Sequence, residues 1–388
     1  MQVTFPTTMR FKRGSFQDII VLRRLDMKDK LFQKVIDTYK WLALRHTLGP
    51  RAIVVETTKV CNLKCPGCRR NYQLGTISSE SGVKHLTPGE LWKAIETTNI
   101  QYVRFEGDGE PTCNPNLKDM VKLCHRLGIR SMMTTNGTLL DKDYIRLLEE
   151  NGMTRIHVSF DGATKETYEK IRVGADYDRV LHNCKLIGES KIQLFMSVVF
   201  FSDEVMEELP LYVGLAKEVG ATGIHYMKMQ QESLKFGVPP DLSKHTGVLE
   251  GLRDYARKKG LLVVGTCTEE PTFTPCYDPF IQPYILLNGD VYACTYLANL
   301  RRQEVYMGKE LKVPYQNYKM GNLRESSMRE IWFGTKYQEL RKELKSTRYP
   351  RGRTLAKEEL LKLKEELQSV KDFSYCQGCL ARWGESGL

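Results

Sequence analysis

The sequence predicts an α/β protein, a partial (β/α)6 barrel followed by a small C-terminal domain built from a β-hairpin plus a helix. From residue 52 to about residue 235, short apolar segments alternate with helical patterns, as expected for parallel strands joined by helices. About six βα units can be counted, fewer than the eight of a complete barrel. After residue 265 the alternation ends. We therefore divide the 388 residues into a basic helical segment (1–51), the barrel (52–265) and a cysteine-bearing domain (266–388).

The predicted strands share short apolar stretches bounded by turn residues: Ala52–Thr57, Tyr102–Glu106, Arg130–Thr134, Arg155–Phe160, Ile192–Phe200 and Gly223–Met229. The predicted barrel helices are Pro88–Thr98, Asn116–Leu127, Asp141–Asn151, Tyr177–Gly188 and Asp203–Val219. A helix near Ser243–Lys259 and a strand near Leu261–Val264 lead out of the barrel. Further on, strands Phe280–Leu287 and Val291–Cys294 flank Asn288-Gly289, which suits a type I′ hairpin turn, and a helix is predicted near Ser327–Leu344.

Charge is concentrated at the start of the chain. The formal net charge is +11, and residues 1–51 hold eleven Lys/Arg and four Asp/Glu, a net +7. This segment could favour an acidic substrate, nucleic acid or an anionic membrane surface, or it could be a solvated arm packed around the barrel. It lacks the interleaved aromatic and basic pattern of RNA-stacking segments. With neither a signal-peptide h-region nor a membrane-spanning apolar run, a cytoplasmic location is expected.

Three of the eleven cysteines follow the first predicted strand in the spacing C-x3-C-x2-C: Cys61, Cys65 and Cys68. Thiolates are the ligands that iron–sulfur clusters require, and three of them can hold three irons of a [4Fe–4S] cube. The fourth iron then stays open for another ligand, which is typical of a catalytic site. Structural zinc is the alternative, although no fourth cysteine or histidine lies close by in the sequence.

This motif resembles the signature of the radical S-adenosylmethionine (SAM) superfamily, and three further stretches agree with it. Gly107-Asp108-Gly109-Glu110-Pro111 resembles the Gly-Gly-Glu-Pro motif of the family, with Asp108 where many members have glycine. Thr134-Thr135-Asn136-Gly137 resembles the Thr-Asn-Gly segment. His157-Val-Ser159-Phe-Asp161-Gly162, followed by Arg172, resembles the fourth-strand Ser-x-Asp-Gly and its downstream arginine. The resemblance implies a partial TIM-like barrel with its active site at the carboxyl ends of the strands.

The same resemblance implies the residues that bind SAM: Gly109, Glu110, Pro111, Asn136, Ser159, Asp161 and Arg172. Their chemistry suits this role. A carboxylate such as Glu110 can accept hydrogen bonds from the SAM ammonium, and Arg172 can pair with the SAM carboxylate.

A second cysteine set follows the barrel: Cys276-x17-Cys294 and Cys376-x2-Cys379. It resembles the twitch domain, a shortened SPASM domain, and implies one auxiliary [4Fe–4S] cluster. Four protein ligands leave no open iron, so this cluster would carry electrons. A full SPASM domain needs about seven cysteines for two clusters, and only five follow the barrel, Cys267 included. Structural zinc in this four-cysteine site is the alternative.

The resemblance implies reductive cleavage of SAM to a 5′-deoxyadenosyl radical that abstracts a substrate hydrogen atom. Two-electron oxidation or epimerisation of a small, anionic metabolite is the expected outcome. Cys113 and Cys267 are candidate hydrogen-atom donors for epimerisation. The expected partner is a low-potential electron donor such as flavodoxin or ferredoxin.

Other functions stay open. SPASM relatives include enzymes that mature ribosomal peptides, but the 51-residue leading segment is short for a peptide-binding domain. A nucleotide- or tRNA-modifying enzyme fits the basic charge. A non-catalytic zinc or iron–sulfur binding protein is the alternative from another class, and it would leave the SAM-binding stretches unexplained.

Overall fold

The βα units predicted from the sequence form one continuous sheet. The structure is a computed structural model, and it describes residues 49–68, 70, 82, 84–228, 246–265, 278–300, 305–306, 309–310 and 318–346. The predicted basic segment 1–51, except its last three residues, lies outside the described residues, as do Cys267, Cys276, Cys376 and Cys379. Among the described helices, none is long and apolar enough to cross a membrane.

The strands of the barrel are β1 to β7: Ala52–Glu56, Tyr102–Glu106, Arg130–Thr135, Met153–Ser159, Gln193–Phe200, Gly223–Lys228 and Leu262–Val264. The helices among them are α1 to α8: Pro88–Ile95, Leu117–Arg126, Lys142–Glu150, Lys165–Ile171, Tyr177–Gly188, Asp203–Glu207, Leu209–Glu218 and Thr246–Lys258. Each strand pairs in parallel with the next along the chain, from β1 to β7. The predicted partial barrel is therefore confirmed, with a short seventh strand added at its far edge.

The C-terminal domain continues the same sheet on the other side of β1. Its described elements are α9 (Asp278–Ile281), β8 (Tyr284–Ile285), β9 (Asp290–Tyr292), α10 (Thr295–Leu300), β10 (Val305–Tyr306), β11 (Lys309–Glu310), β12 (Lys319–Asn322), α11 (Met328–Phe333) and α12 (Thr335–Ser346). Strand β8 pairs in parallel with β1, and β9 and β12 follow in antiparallel pairs. The described ten-stranded sheet therefore has the order β12-β9-β8-β1-β2-β3-β4-β5-β6-β7.

The barrel strands have two unlike faces because successive side chains of a strand point to opposite sides. The outer face is apolar and packs under the helices, with Val103, Phe105, Ile156 and Val158 fully buried. The alternate positions on β2, β3 and β4 are half-buried and largely polar. Burial of the outer face supplies the main hydrophobic stabilisation of the barrel. The inner face is left for polar side chains.

Helix α4 (Lys165–Ile171) was not predicted from the sequence. Its N-terminus is capped by Thr164 and by the carboxylate of Glu208, which comes from the junction of α6 and α7. Glu208 accepts hydrogen bonds from the backbone N–H groups of Ala163 and Thr164 at 2.6 and 3.1 Å and from the Thr164 and Thr167 hydroxyls. A tertiary contact therefore stabilises a helix whose own sequence is mostly polar.

Two predicted boundaries were wrong. The predicted helix Asp203–Val219 is divided at Glu208, because Pro210 lies in the first turn of a new helix, where proline is favoured. The predicted strand Phe280–Leu287 begins as a helical turn and is a strand only at Tyr284–Ile285.

The predicted type I′ turn is also corrected. The N–H of Gly289 donates to the Leu286 carbonyl at 2.9 Å, so Leu287 and Asn288 are the central turn residues. Gly289 follows them with φ of +87°, the left-handed conformation that glycine adopts at little cost. The hairpin therefore has a three-residue loop with a bulge, in which the Asn-Gly pair occupies the second and third positions.

A buried arginine connects the helices of the C-terminal domain. Arg341 on α12 donates to the carbonyls of Pro279 and Trp332 at 2.9 and 2.7 Å, and its guanidinium lies 4.2 Å from the Trp332 ring centroid. Burial lowers the pKa of Arg341 to about 10. These contacts hold α9, α11 and α12 together beside the hairpin.

We expect Glu208→Gln to lower the free energy of unfolding by about 1–2 kcal/mol at pH 7, because hydrogen bonds to a charged acceptor are replaced by weaker ones. Burial raises the pKa of Glu208, but its hydrogen bonds to residues 163–167 outweigh burial, and the net pKa is lowered. The difference from wild type should therefore be present above the unfolded pKa, and it should shrink as pH falls through the lower folded pKa. Unfolding midpoints at pH 7 and about pH 4 measure it.

The matched control is Glu204→Gln, one turn away, whose exposed ion pair with Lys170 should contribute little. Equal losses of stability in the two variants at pH 7 would contradict the capping role of Glu208.

Candidate functional site

The Cys61–Cys68 loop begins five residues after β1 and is fixed by contacts to neighbouring segments. The Thr57 hydroxyl donates to the Glu106 carbonyl at 2.9 Å, and the Lys64 N–H donates to the Val173 carbonyl at 2.9 Å. These contacts tie the loop to the end of β2 and to the segment after α4. The cysteine loop therefore lies at the carboxyl end of the barrel strands.

All three thiols are half-buried, and Cys68 interacts electrostatically with both Cys61 and Cys65. Burial raises the pKa of Cys61 to about 11, and burial also raises that of Cys65. Among the described residues, no three potential ligands converge on a point that could hold a single metal ion. A [4Fe–4S] cluster does not need ligands that converge on one point, because each cysteine binds a different iron atom. This donor set, soft thiols close together on one loop, fits an iron–sulfur cluster.

Gly109 allows the loop after β2 to lie directly against the cysteine loop. A Cβ at this position would lie 2.3 Å from the Thr58 carbonyl oxygen and 2.6 Å from that of Val60. The N–H groups of Gly109 and Glu110 donate to these same carbonyls at 3.1 and 2.8 Å. Glycine is therefore required here for close approach of two backbones.

The carboxylate of Glu110 is buried and already accepts four hydrogen bonds. Its donors are the Thr112 N–H and hydroxyl, the Thr135 hydroxyl and the Asn136 N–H, at 2.5–3.1 Å. Glu110 therefore joins the ends of β2 and β3. Its predicted contact with the SAM ammonium stays a prediction, and little acceptor capacity remains for it in this arrangement.

Asn136 connects the end of β3 to the cysteine loop. Its amide N–H donates to Asn62 Oδ1 at 2.9 Å and approaches Cys61 Sγ at 4.0 Å. Asn62 in turn donates to the Thr138 hydroxyl at 2.8 Å. This network sets the orientation of the loop beside Cys61. Pro111, the neighbour of Glu110, is buried in a single 3-10 turn.

Asp161 and Arg172 form a buried ion pair near Cys65. Arg172 Nε donates to Asp161 Oδ2 at 2.6 Å, and Oδ1 of the fully buried Asp161 accepts from the Val199 N–H at 2.7 Å. Burial opposes the charge of Arg172, but Asp161 and Cys65 raise its pKa overall. A permanent cation therefore stands beside the thiols. Ser159 is half-buried at the end of β4, opposite Ser197 of β5.

Glu56 joins the site to the C-terminal hairpin. This buried carboxylate forms an ion pair with Lys59, and its Oε2 accepts from the Leu287 N–H at 3.2 Å. Lys59 also lies 3.5 Å from Asp108 Oδ2. The unusual Asp108 of the Gly-Asp-Gly-Glu-Pro segment is thus held by a lysine of the cysteine loop.

The remaining predicted residues are placed only in part. Cys113 is half-buried with its thiol 4.0 Å from Asn62 Oδ1, and burial raises its pKa. Cys294 is buried just after β9. The other candidate hydrogen donor, Cys267, and the other auxiliary cysteines, Cys276, Cys376 and Cys379, lie outside the described residues.

Sequence reasoning missed Lys59, Asn62 and Thr135 as residues that hold the site together. Lys59 and Asn62 flank the first cysteine, so their place in the loop was a usable signal. Thr135 was part of a recognised motif, but its contact with Glu110 was not predicted because it joins residues 25 positions apart.

Comparisons with known proteins identify both halves of this arrangement. The radical SAM superfamily model matches residues 55–213, and the SPASM model, an iron–sulfur cluster-binding domain, matches residues 276–354. The chain is 26% identical to the AdoMet-dependent heme synthase of Methanosarcina barkeri over 317 residues, 74% of this chain and 83% of that protein. It is 32% identical to the PqqA peptide cyclase of Gluconobacter oxydans over 174 residues, 44% of this chain and 47% of that one.

Solved structures show the same fold. Streptococcus suis SuiB bound to S-adenosylmethionine aligns with a TM-score of 0.59 at 17% identity, covering 84% of this chain and 77% of SuiB. The matched domains imply [4Fe–4S] clusters and SAM as cofactors. The chain belongs to the radical SAM superfamily and carries a SPASM iron–sulfur domain after its barrel.

Proposed function

We propose that the protein is a radical SAM oxidoreductase that abstracts a hydrogen atom from a small, anionic metabolite, with two-electron oxidation or epimerisation as the net result. When bound, SAM and its [4Fe–4S] cluster supply a 5′-deoxyadenosyl radical. The observation that carries the oxidoreductase assignment is the pairing of β8 with β1. It attaches the hairpin that leads to Cys294 directly to the strand that leads to Cys61.

The cluster that holds SAM would use Cys61, Cys65 and Cys68. Arg172 would bind the SAM carboxylate, since Asp161 fixes its guanidinium beside Cys65. The remaining contacts with SAM are assigned to Gly109, Pro111, Asn136 and Ser159. Asp161 acts through Arg172 in this proposal, and Glu110 acts through Asn136, because their carboxylates are buried in contacts within the protein.

The auxiliary cluster would use Cys276, Cys294, Cys376 and Cys379. Four thiolates fill every iron of a cube, which suits electron transfer. The domain boundaries proposed for these parts are 52–265 for the barrel and 266–388 for the auxiliary domain, after the basic segment 1–51. An electron accepted at this cluster would make the net reaction a two-electron oxidation.

Epimerisation differs from oxidation in one step, the return of a hydrogen atom to the substrate radical. Cys113 and Cys267 are the proposed donors. The proximity of the Cys113 thiol to Asn62, beside Cys61, supports this role, and burial raises the pKa of that thiol. The electron for SAM cleavage would come from a low-potential carrier such as flavodoxin or ferredoxin.

Maturation of a ribosomal peptide is the second candidate. It is favoured by the identity with PqqA peptide cyclase and by the fold shared with SuiB, whose structure bound to the precursor peptide SuiA aligns with a TM-score of 0.58. A peptide substrate would be extended, and it would need a binding surface outside the barrel.

Reductive cleavage of SAM tests the proposal first. Anaerobically reconstituted, dithionite-reduced protein should form 5′-deoxyadenosine and methionine from SAM, as measured by chromatography. Failure of the fully loaded protein to form 5′-deoxyadenosine would remove radical chemistry from consideration.

The triple change of Cys61, Cys65 and Cys68 to Ala should leave about four irons per chain with a [4Fe–4S] Mössbauer spectrum, because the auxiliary thiolates are untouched. Wild-type protein, the control, should hold about eight. Zinc without iron in the triple variant would contradict the auxiliary cluster, and redox-neutral reactions would then be favoured over oxidation.

Asp161→Asn should weaken SAM binding roughly tenfold or more, since a hydrogen bond between charged groups contributes about 1.5–3 kcal/mol. Isothermal titration of the reconstituted protein with SAM measures the dissociation constant.

Asp178→Asn is the matched control, because Asp178 is exposed and pairs only with the exposed Lys165 in the described residues. Lower thermal stability of Asp161→Asn with unchanged SAM affinity would show that Asp161 has a structural role alone.

A further inference from the structure

Three arginines lie on the inner face of the barrel sheet, outside every motif described above. Strand pairing places Arg104 of β2 beside Met132 of β3, and Met132 beside Arg155 of β4. Arg130 begins β3, one layer lower, beside Tyr102. All three side chains are half-buried, whereas arginine is mostly exposed in proteins, so three at neighbouring inner-face positions call for an explanation.

Two of these arginines are supported by aromatic rings. The Arg130 guanidinium lies 4.1 Å from the centroid of the Tyr102 ring, and that of Arg155 lies 4.7 Å from that of Phe195. Gln193 accepts hydrogen bonds from Arg155 Nε and Nη2 at 3.1 and 2.8 Å. Stacking orients a guanidinium plane toward a planar oxyanion, and in Arg155 the Nη1 N–H groups are not among the donors to Gln193. Both side chains are therefore preorganised.

The positive charge of this layer is only partly balanced. Arg104 pairs with Glu106 at 2.9 Å, and the half-buried Asp278 lies near both. Within the described part of the chain, neither Arg130 nor Arg155 has a carboxylate within 4 Å. Burial lowers the pKa of Arg155, and Arg104 and Arg130 lower it further.

Above Arg155, the inner faces of β4, β5 and β6 carry an aromatic and histidine cluster. His157 stacks on Phe195 at 5.0 Å and meets His225 edge to face at 5.6 Å. Burial, His225 and the nearby arginines hold the pKa of His157 well below its usual value. The wall between Arg155 and Ser159 is thus partly aromatic.

We propose that Arg130 and Arg155 form an anion subsite that binds an oxyanion group of the substrate, a carboxylate or a phosphate, inside the barrel. The inference rests on the proposed function and deepens it by assigning which end of the substrate is recognised. Arg155 precedes Ser159 by four residues of β4, a rise of about 13 Å. The substrate therefore has its anionic group toward the floor of the barrel and its reacting carbon toward the SAM end.

A purely structural role makes a different prediction. If the arginines only filled the floor of the barrel, their removal would lower stability in every buffer. In an anion subsite the like charges repel one another when the site is empty, and an added oxyanion stabilises the fold.

The test compares wild type, the Arg130→Gln/Arg155→Gln double variant and Arg146→Gln, all reconstituted anaerobically. Arg146 lies exposed on α3, where it pairs with Asp143 and Glu150, and it controls for loss of positive charge. Melting temperatures are measured with glutarate, inorganic phosphate and the neutral analogue glutaramide, against sodium chloride of the same ionic strength.

Wild type and Arg146→Gln should gain about 2 °C or more with at least one oxyanion and nothing with glutaramide, and the double variant should not respond. A response to glutarate alone identifies a carboxylate subsite, and one to phosphate alone a phosphate subsite. No specific response of wild type, or an equal response of the double variant, overturns the proposal. SAM cleavage by wild type is measured separately, so its failure would count against the proposed function and not against the anion subsite.

Discussion

The buried carboxylate of Glu56 is the contact on which both halves of the structure depend. A charged group with 1% exposure is tolerated only when its oxygens are compensated. Lys59 compensates one oxygen and the Leu287 N–H the other, so one side chain joins β1 to the cysteine loop and to the C-terminal hairpin. A Cβ at Gly107, where φ is +131°, would lie 2.8 Å from Glu56 Cγ. The loop after β2 is therefore fitted around the same carboxylate.

Most of the barrel could be predicted because its strands obey a local rule. Short apolar stretches bounded by turn residues located β2 without error and the other barrel strands within two residues, and helix Tyr177–Gly188 was found in full. The elements that were missed or predicted wrongly share one cause, which is that they depend on contacts between residues far apart in the sequence. Helix α4 depends on Glu208, some 40 residues away, which no local pattern reports. In the hairpin, Asn-Gly gave the position of the turn, but Gly289 occupies the bulge because the register is set by pairing with β1 and β12.

In the candidate site, too, the sequence identified residues but not the contacts that they make. Motif spacing named Glu110, Asp161 and Arg172, yet it could not show that both carboxylates are occupied by the protein itself. A pattern of residue types records which side chains are near a ligand, but a hydrogen-bond partner 25–38 residues away is a property of the fold. The inner-face arginines had no motif at all. Each of three successive strands has an arginine at a position that faces the inside of the barrel. This pattern can be recognised only when the strand register is known.

The outer face of the barrel sheet stabilises the fold, and the inner face carries the proposed anion subsite. Outer-face residues such as Val103, Ile156 and Val198 are fully buried, and each contributes about 1.5–3 kcal/mol relative to exposure. This free energy of burial can offset the electrostatic repulsion among Arg104, Arg130 and Arg155 on the opposite face of the same strands. Because each strand carries both kinds of side chain at alternate positions, the inner face can change its charge without altering the helix packing that holds it. The polar inner face is therefore the part of the barrel in which related chains can differ most in substrate while keeping one fold.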